Sequence, residues 1–292
     1  MTLKRPEEGV INWNMNTTCN YRCTYCTQRF LDDRGRWAKD VPRFLSAFAR
    51  LPGRWEIKLS GGEPFRHPKF LDVVNGLRSC GHRVSVVTNF ASSEARLLSF
   101  LAAADESLRV FSASLHLEYV HDDQKIENFI QKGLLVQSAL PKEGSFCVTT
   151  VATRPRLSSL ATLQERFDQA GLRLKIQPEK QARDVIAYSA DEVVELKRLG
   201  GHNNTGNIAA NFLGQPCLAG ARYFILDDLG NAFRCYPARR YKKESLGNFL
   251  NDDFSLNEEA HPCRYSYCNC TVPIERGMMN PLSARDAFGS VQ

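Results

Sequence analysis

The sequence has no apolar run approaching the ~20 residues that span a bilayer. Its first residues, MTLKRPEEGV, carry charge without the apolar core of a secretory signal. Both absences exclude export by a cleaved signal and membrane insertion, and predict a cytoplasmic protein. Internal repeats and low-complexity segments are also missing, which excludes a solenoid or a disordered scaffold. The basic residues form no long stripe with interleaved aromatics, which argues against a nucleic-acid partner. The net charge of +6 is mild; it suits an acidic substrate or a redox partner with an acidic face. The densest basic run, Arg234 to Lys243, reads as a solvated loop. Few residues precede the first strand-like run, so no separate N-terminal peptide-recognition domain is expected.

Cysteine, by contrast, is plentiful: there are ten. Three fall within 19–26 and five within 217–270, and such clusters in a reducing compartment read as metal ligands rather than disulfides. Cys80 and Cys147 stand alone near strand-like segments and read as small buried hydrophobes.

Six β-branched or aromatic runs predict strands: Val10–Asn16, Trp55–Ser60, Arg83–Thr88, Arg109–Leu115, Phe146–Ala152 and Leu172–Gln177. Helical spacing fills the gaps at Val41–Leu51, Pro68–Ser79, Ser92–Ala104, Asp123–Ala139 and Ser158–Ala170. Ser92 and Ser158 are the expected N-caps, and Gly171 the expected C-terminal cap. Six βα units call for parallel strands with right-handed crossovers. They are too few to close an eight-stranded barrel, so the expected fold class is α/β: a partial (β/α)6 TIM-like barrel with ligands at the C-terminal strand ends. The rhythm breaks after about residue 180. A connector (181–216), with a helix at Ser189–Leu199, leads to a cysteine-held segment (217–292) that opens on a β-hairpin around DDLGN.

Cys19, Cys23 and Cys26 have C-x3-C-x2-C spacing directly after the first strand. Three thiolates on one loop can hold three irons of a cubane cluster and leave the fourth iron open to a ligand. Zinc is the alternative, but it asks for a fourth Cys or His, and the nearest histidine is His67. Downstream, Gly61-Gly62-Glu63-Pro64 follows the second strand, where glycines permit close backbone approach. Together these motifs resemble the radical S-adenosylmethionine superfamily. The resemblance implies a catalytic [4Fe–4S] cluster on Cys19, Cys23 and Cys26, with Tyr25 beside the adenine. It implies that Gly61, Gly62, Glu63 and Pro64 meet the methionine amino group. Asn89, Ser114 and Ile176 are further cofactor candidates, Ser114 at the ribose and Ile176 on the adenine. His116 is a candidate substrate contact. Ser112, Ser114 and His116 share one strand face; a second reading makes them satisfied polar residues at a strand end, and Ile176 plain core.

At the C-terminus, Cys217 and Cys235 enclose C-x12-G-x4-C, with Gly230 in the hairpin. Leu246-Gly247-Asn248 follows, and then Cys263, Cys268 and Cys270. This resembles the auxiliary-cluster extensions of the superfamily, SPASM or the shorter twitch form. The resemblance implies a second [4Fe–4S] cluster on Cys217, Cys235, Cys268 and Cys270, with Cys263 as the alternative to one of the last two; a zinc site stays open. It also implies an external flavodoxin-like electron donor and reductive cleavage of S-adenosylmethionine to a 5′-deoxyadenosyl radical. That radical takes a substrate hydrogen atom, and the second cluster assists oxidation. The expected substrate is a peptide undergoing cross-linking, epimerisation or oxidation; the alternative is a sugar, aminocyclitol or amino acid in a specialised biosynthetic pathway.

Overall fold

The computed structural model describes residues 8–28, 30–180, 186–199, 212–266, 268 and 272–279. Six strands follow one another in space as in sequence: β1 (Gly9–Asn16), β2 (Trp55–Gly61), β3 (Arg83–Thr88), β4 (Leu108–Leu115), β5 (Ser145–Ala152) and β6 (Leu174–Pro178). Every pairing among them is parallel. Helices α1 (Trp37–Ala49), α2 (Phe70–Ser79), α3 (Glu94–Ala104), α4 (Asp123–Ser138) and α5 (Leu160–Gln169) return the chain between them. This is an α/β fold on a parallel sheet, with strand bounds within two residues of those expected.

Strand alternation sorts the residues into two layers. In β1, Ile11, Trp13 and Met15 join the helix-side core, where the Trp13 ring lies 4.7 Å from Phe44 and 5.1 Å from Phe48 of α1. Asn12, Asn14 and Asn16 occupy the other face, which looks into the half-barrel. Phe65, Phe70, Phe100 and Phe111 stack behind β2–β4 at centroid distances of 4.7 to 5.6 Å. Each such pair contributes about 0.5–1.5 kcal/mol beyond area burial, so this side of the sheet is rigid.

The helix starts differ in detail from expectation. The N-caps of α3 and α5 are Ser93 and Ser159, one residue beyond Ser92 and Ser158, and neither side chain makes a capping bond. Helix α1 begins at Trp37, four residues before Val41, led in by a tight turn at Arg34–Arg36. Gly171 does end α5, with φ +75°. Helix α6 (Ala190–Arg198) opens on a capping box between Ser189 and Glu192.

The half-barrel does not close. Among the described residues the outer edge of β1 pairs instead with β8 (Tyr223–Leu226), in parallel. Strand β8 turns back through Asp227–Gly230 into β9 (Asn231–Phe233), and β10 (Ser245–Asn248) completes a nine-stranded sheet. The expected hairpin is therefore an extension of the main sheet. Gly230, with φ +88°, sits in its turn. The short strands β7 (Pro216–Cys217) and β11 (His261–Pro262) pair beside it. The run Arg234–Lys243 departs from the solvated-loop expectation: helix α7 (Tyr236–Tyr241) occupies it, and Arg234 is buried. A final short helix, α8 (Val272–Glu275), turns its residues toward the half-barrel. No helix among the described residues is long and apolar enough to cross a membrane.

Candidate functional site

The interior of the half-barrel is a cavity of about 790 Å³, within the size range of small-molecule sites. Cys19, Cys23 and Cys26 line its upper end, at the C-terminal ends of the strands, with Gly61, Gly62, Asn89, Ser114 and His116. The cysteine loop is held in place from three sides. Asp33, buried, accepts the Thr17 amide at 2.5 Å and the Thr18 hydroxyl at 2.6 Å, fixing the two residues before Cys19. The Tyr119 hydroxyl accepts the Arg22 amide at 2.7 Å, and the Tyr21 and Tyr119 rings stack at 3.9 Å. Glu118 accepts the Thr24 amide at 3.0 Å. From β3, the Asn89 amide group donates to Asn20 Oδ1 at 2.9 Å and points at Cys19 Sγ, 3.8 Å away.

The glycine turn is stitched to the same loop. Gly62 N donates to Asn16 O at 2.7 Å, Glu63 N to Thr18 O at 2.9 Å, and Asn16 Nδ2 to Glu63 O at 3.0 Å. Glu63 itself faces away from the cavity. Its carboxylate accepts the Phe65 amide, the Thr88 hydroxyl and the Asn89 amide at 3.0, 2.8 and 2.7 Å. Burial pushes its pKa up to about 7 against those donors. Three donors engage its oxygens, so the carboxylate braces the turn.

Two other candidates also lie away from the cavity wall. Tyr25 does not line the cavity; its hydroxyl meets His116 Nδ1 at 2.7 Å and its ring stacks behind the imidazole. Ile176 lies on the helix side of β6 in the core, while its neighbours Lys175 and Gln177 face the cavity. Pro64 is buried at the start of a tight turn. His116 also approaches Cys23 Sγ at 3.3 Å. Burial lowers its pKa to about 4, against the pull of Glu118, so the imidazole is neutral near pH 7. Cys147 is buried as expected, yet it borders the cavity.

Among the described residues, no three His, Cys, Asp or Glu side chains converge on one ion position. A zinc ion takes four such ligands at one point, whereas in a cubane cluster each thiolate takes its own iron. Three thiols spread around one open cavity fit the cluster. Burial raises the pKa of all three, Cys23 to about 11, so metal must displace protons to bind.

A second, smaller cavity lies between the hairpin and the C-terminal segment. Cys217, Cys235, Cys263 and Cys268 line it, among Phe212, Pro237, Pro273 and Met279. Cys270 lies outside the described residues. Burial raises the Cys235 thiol to about 12. Four thiols in an apolar chamber fit a cluster with a full protein ligand set.

Sequence reasoning passed over Asp33, Glu118 and Tyr119, which carry no motif spacing. Their loss has an expected outcome. Asp33→Ala removes a buried acceptor worth about 1.5–3 kcal/mol, freeing the chain before Cys19. Iron reconstituted at the first site should fall while iron at the C-terminal cysteines stays. Unchanged iron would show that the loop holds without Asp33. The Asp33 pKa is lowered by these bonds despite burial, so its contribution is present above the ordinary carboxylate range and lost as pH falls through the depressed value.

Known proteins bear on this geometry. The sequence model of the Radical SAM superfamily matches residues 13–136. An S-adenosylmethionine-dependent nucleotide dehydratase of Psychrobacter lutiphocae is 31% identical over 98 residues, 28% of this chain and 33% of that protein. A probable GTP 3′,8-cyclase of Thermococcus kodakarensis is 33% identical over 85 residues, 27% of each chain. The chain thus spans about a third of the curated relatives it matches. Among solved structures, Streptococcus suis SuiB bound to precursor peptide SuiA superposes with a TM-score of 0.60 at 13% identity, covering 85% of this chain and 63% of that one. The structure of anSMEcpe with AdoMet and the Cp18Cys peptide gives 0.56 at 15%, covering 84% and 78%. At these identities the superpositions speak for the fold alone. The cysteine loop, the glycine turn, strands β2 to β4 and part of β1 lie inside the span that matches the Radical SAM superfamily model, residues 13–136.

Proposed function

We propose that this chain is a radical SAM enzyme with two [4Fe–4S] clusters. The observation that carries the reading is the set of three thiols, Cys19, Cys23 and Cys26, at the strand-end mouth of a cavity that Gly61, Gly62 and Asn89 also line. Those thiols would hold the first cluster; Cys217, Cys235, Cys263 and Cys268 would hold the second. Bound there with S-adenosylmethionine, a cluster supplies one-electron cleavage of the sulfonium and hydrogen-atom abstraction from an unactivated carbon. The chain's own residues position and exclude. Gly61 and Gly62 let the turn lie against the backbone of Asn16 and Thr18, where a Cβ at either would collide. Asn89 and His116 polarise the rim around the Cys19 and Cys23 sulfurs. The strand walls hold the target carbon in reach, because positioning governs such transfers. A flavodoxin-like protein is the proposed electron source.

Two substrate classes have support. A peptide is favoured by the bound peptides in the SuiB and anSMEcpe structures. A small molecule is favoured by the size of the cavity and by the nucleotide chemistry named for the two sequence relatives.

Anaerobic reconstitution tests the reading. The protein should take up about eight irons and Cys217→Ala about four, as two cubanes require. With a strong reductant and S-adenosylmethionine it should release 5′-deoxyadenosine. Iron-free protein, or full iron without that product, would overturn the proposal.

A further inference from the structure

The cavity is strongly unbalanced in charge. Lys58, Arg173, Lys175, Lys180, Arg240 and Arg276 face it, against Glu56 and Glu275. Three cations are answered: Arg276 meets Glu56 at 2.8 Å, Lys175 stands 3.7 Å from Glu275, and Lys180 has an interaction of its own. Arg173 lies exposed at the rim. Lys58 and Arg240 are different. Both are half-buried, and the Nη1 of Arg240 is buried without an acceptor among the described residues.

Contacts link the elements that carry them. Lys58 pairs in register with Asn12 of β1, and alternation turns both into the half-barrel. The Asn12 amide contacts the Tyr236 hydroxyl. Arg240 lies one helical turn after Tyr236, on the same face of α7. Lys58 is three residues before Gly61, so this end of the cavity lies about 10 Å below the glycine turn.

We propose that Lys58 and Arg240 form an anion subsite, and that the substrate is a small molecule carrying a phosphate or diphosphate. The inference rests on the cavity being the substrate chamber of the enzyme proposed above. Two half-buried cations without partners among the described residues call for an anion that concentrates charge on adjacent oxygens. A phosphate carries close to two charges, and its oxygens match both a guanidinium fork and an ammonium. A single carboxylate brings one charge. The 10 Å offset leaves room for the reacting carbon between the anion and the cysteine end.

Inorganic pyrophosphate is the probe. Calorimetric titration of reconstituted protein with S-adenosylmethionine bound should show saturable one-to-one binding that weakens with salt. Lys58→Gln and Arg240→Gln should each weaken it by about tenfold, with S-adenosylmethionine binding unchanged. The two residues sit on different elements, and Lys58→Arg should retain binding, so a folding defect in one variant does not decide the matter. No saturable binding, equal binding in both glutamine variants, an equal loss of S-adenosylmethionine binding, or tighter binding of tetraglutamate than of pyrophosphate would each overturn the subsite. Iron-free protein that still binds pyrophosphate through Lys58 and Arg240 would sink the enzyme reading and leave the subsite standing.

Discussion

Gly62→Ala is expected to abolish iron uptake at the first cysteine site while leaving the C-terminal site filled. A Cβ on Gly62 would stand 2.2 Å from Thr18 O and 2.7 Å from Thr18 C. Both are backbone atoms, so no side chain can swing aside. The strain must move residues 17 and 18, which Asp33 holds and which lead directly into Cys19. Overpacking of this kind costs about 1–3 kcal/mol, and here the displaced backbone carries the ligand loop. Gly53 is the control: its φ is +72° and nothing lies within 4 Å of a Cβ there. Gly53→Ala should therefore lose only the conformational preference, about 1 kcal/mol, with iron intact. Iron counts and 5′-deoxyadenosine release, measured on both variants, check this. Full iron and full release in Gly62→Ala would show that the turn tolerates a shift and that its glycines serve a ligand alone.

That expectation shows what the sequence could and could not convey. The strands were legible because parallel strands covered by helices read as near-continuous apolar runs, and all six fall within two residues of the spacing prediction. The cysteine loop was legible because its ligands are neighbours in sequence. The direction of Glu63 was not. Whether a carboxylate faces a cavity or a set of amides depends on Thr88 and Asn89, more than twenty residues away. Asp33 escaped for the same reason, since it acts on Thr17 and Thr18 through space. The joining of β8 to β1 also escaped, because apolar runs do not name their partners. Ile176 and Lys175 differ by one position, and strand alternation alone sends one to the core and the other to the cavity. The face each takes is fixed by β5–β6 register, which no local pattern contains.

Arg234→Ala should be the most destabilising single change in the C-terminal part. The guanidinium is buried, with 5% of the side chain exposed, and lies 2.8 Å from Glu244 Oε1. It also donates to Ala219 O at 2.9 Å, His261 O at 2.6 Å and Pro262 O at 3.1 Å. One side chain thereby ties the segment before β8 to the segment around β11, the two stretches that carry Cys217 and Cys263. Removing one partner of a buried ion pair costs about 3–5 kcal/mol, because the other charge stays behind. Arg234→Lys should recover only part, since an ammonium cannot reproduce a fork that reaches several carbonyls. The pH dependence has a definite sign. Burial raises the Glu244 pKa, but its hydrogen bonds to Arg234 and Tyr265 outweigh that and leave it below the ordinary value. In the wild-type protein this contribution is present above about pH 4.3 and lost as pH falls through the depressed pKa. In Arg234→Ala burial acts with less opposition, so the Glu244 pKa should rise and the variant should lose stability as pH increases. The gap between the two proteins should be widest at neutral pH and narrow toward pH 4, as urea unfolding followed by circular dichroism would read. Iron at the C-terminal cysteines should fall with it. A variant that keeps that iron and unfolds within about 1 kcal/mol of wild type, a typical surface-mutation effect, would mean that the cysteines themselves hold the segment and that the arginine clamp is dispensable.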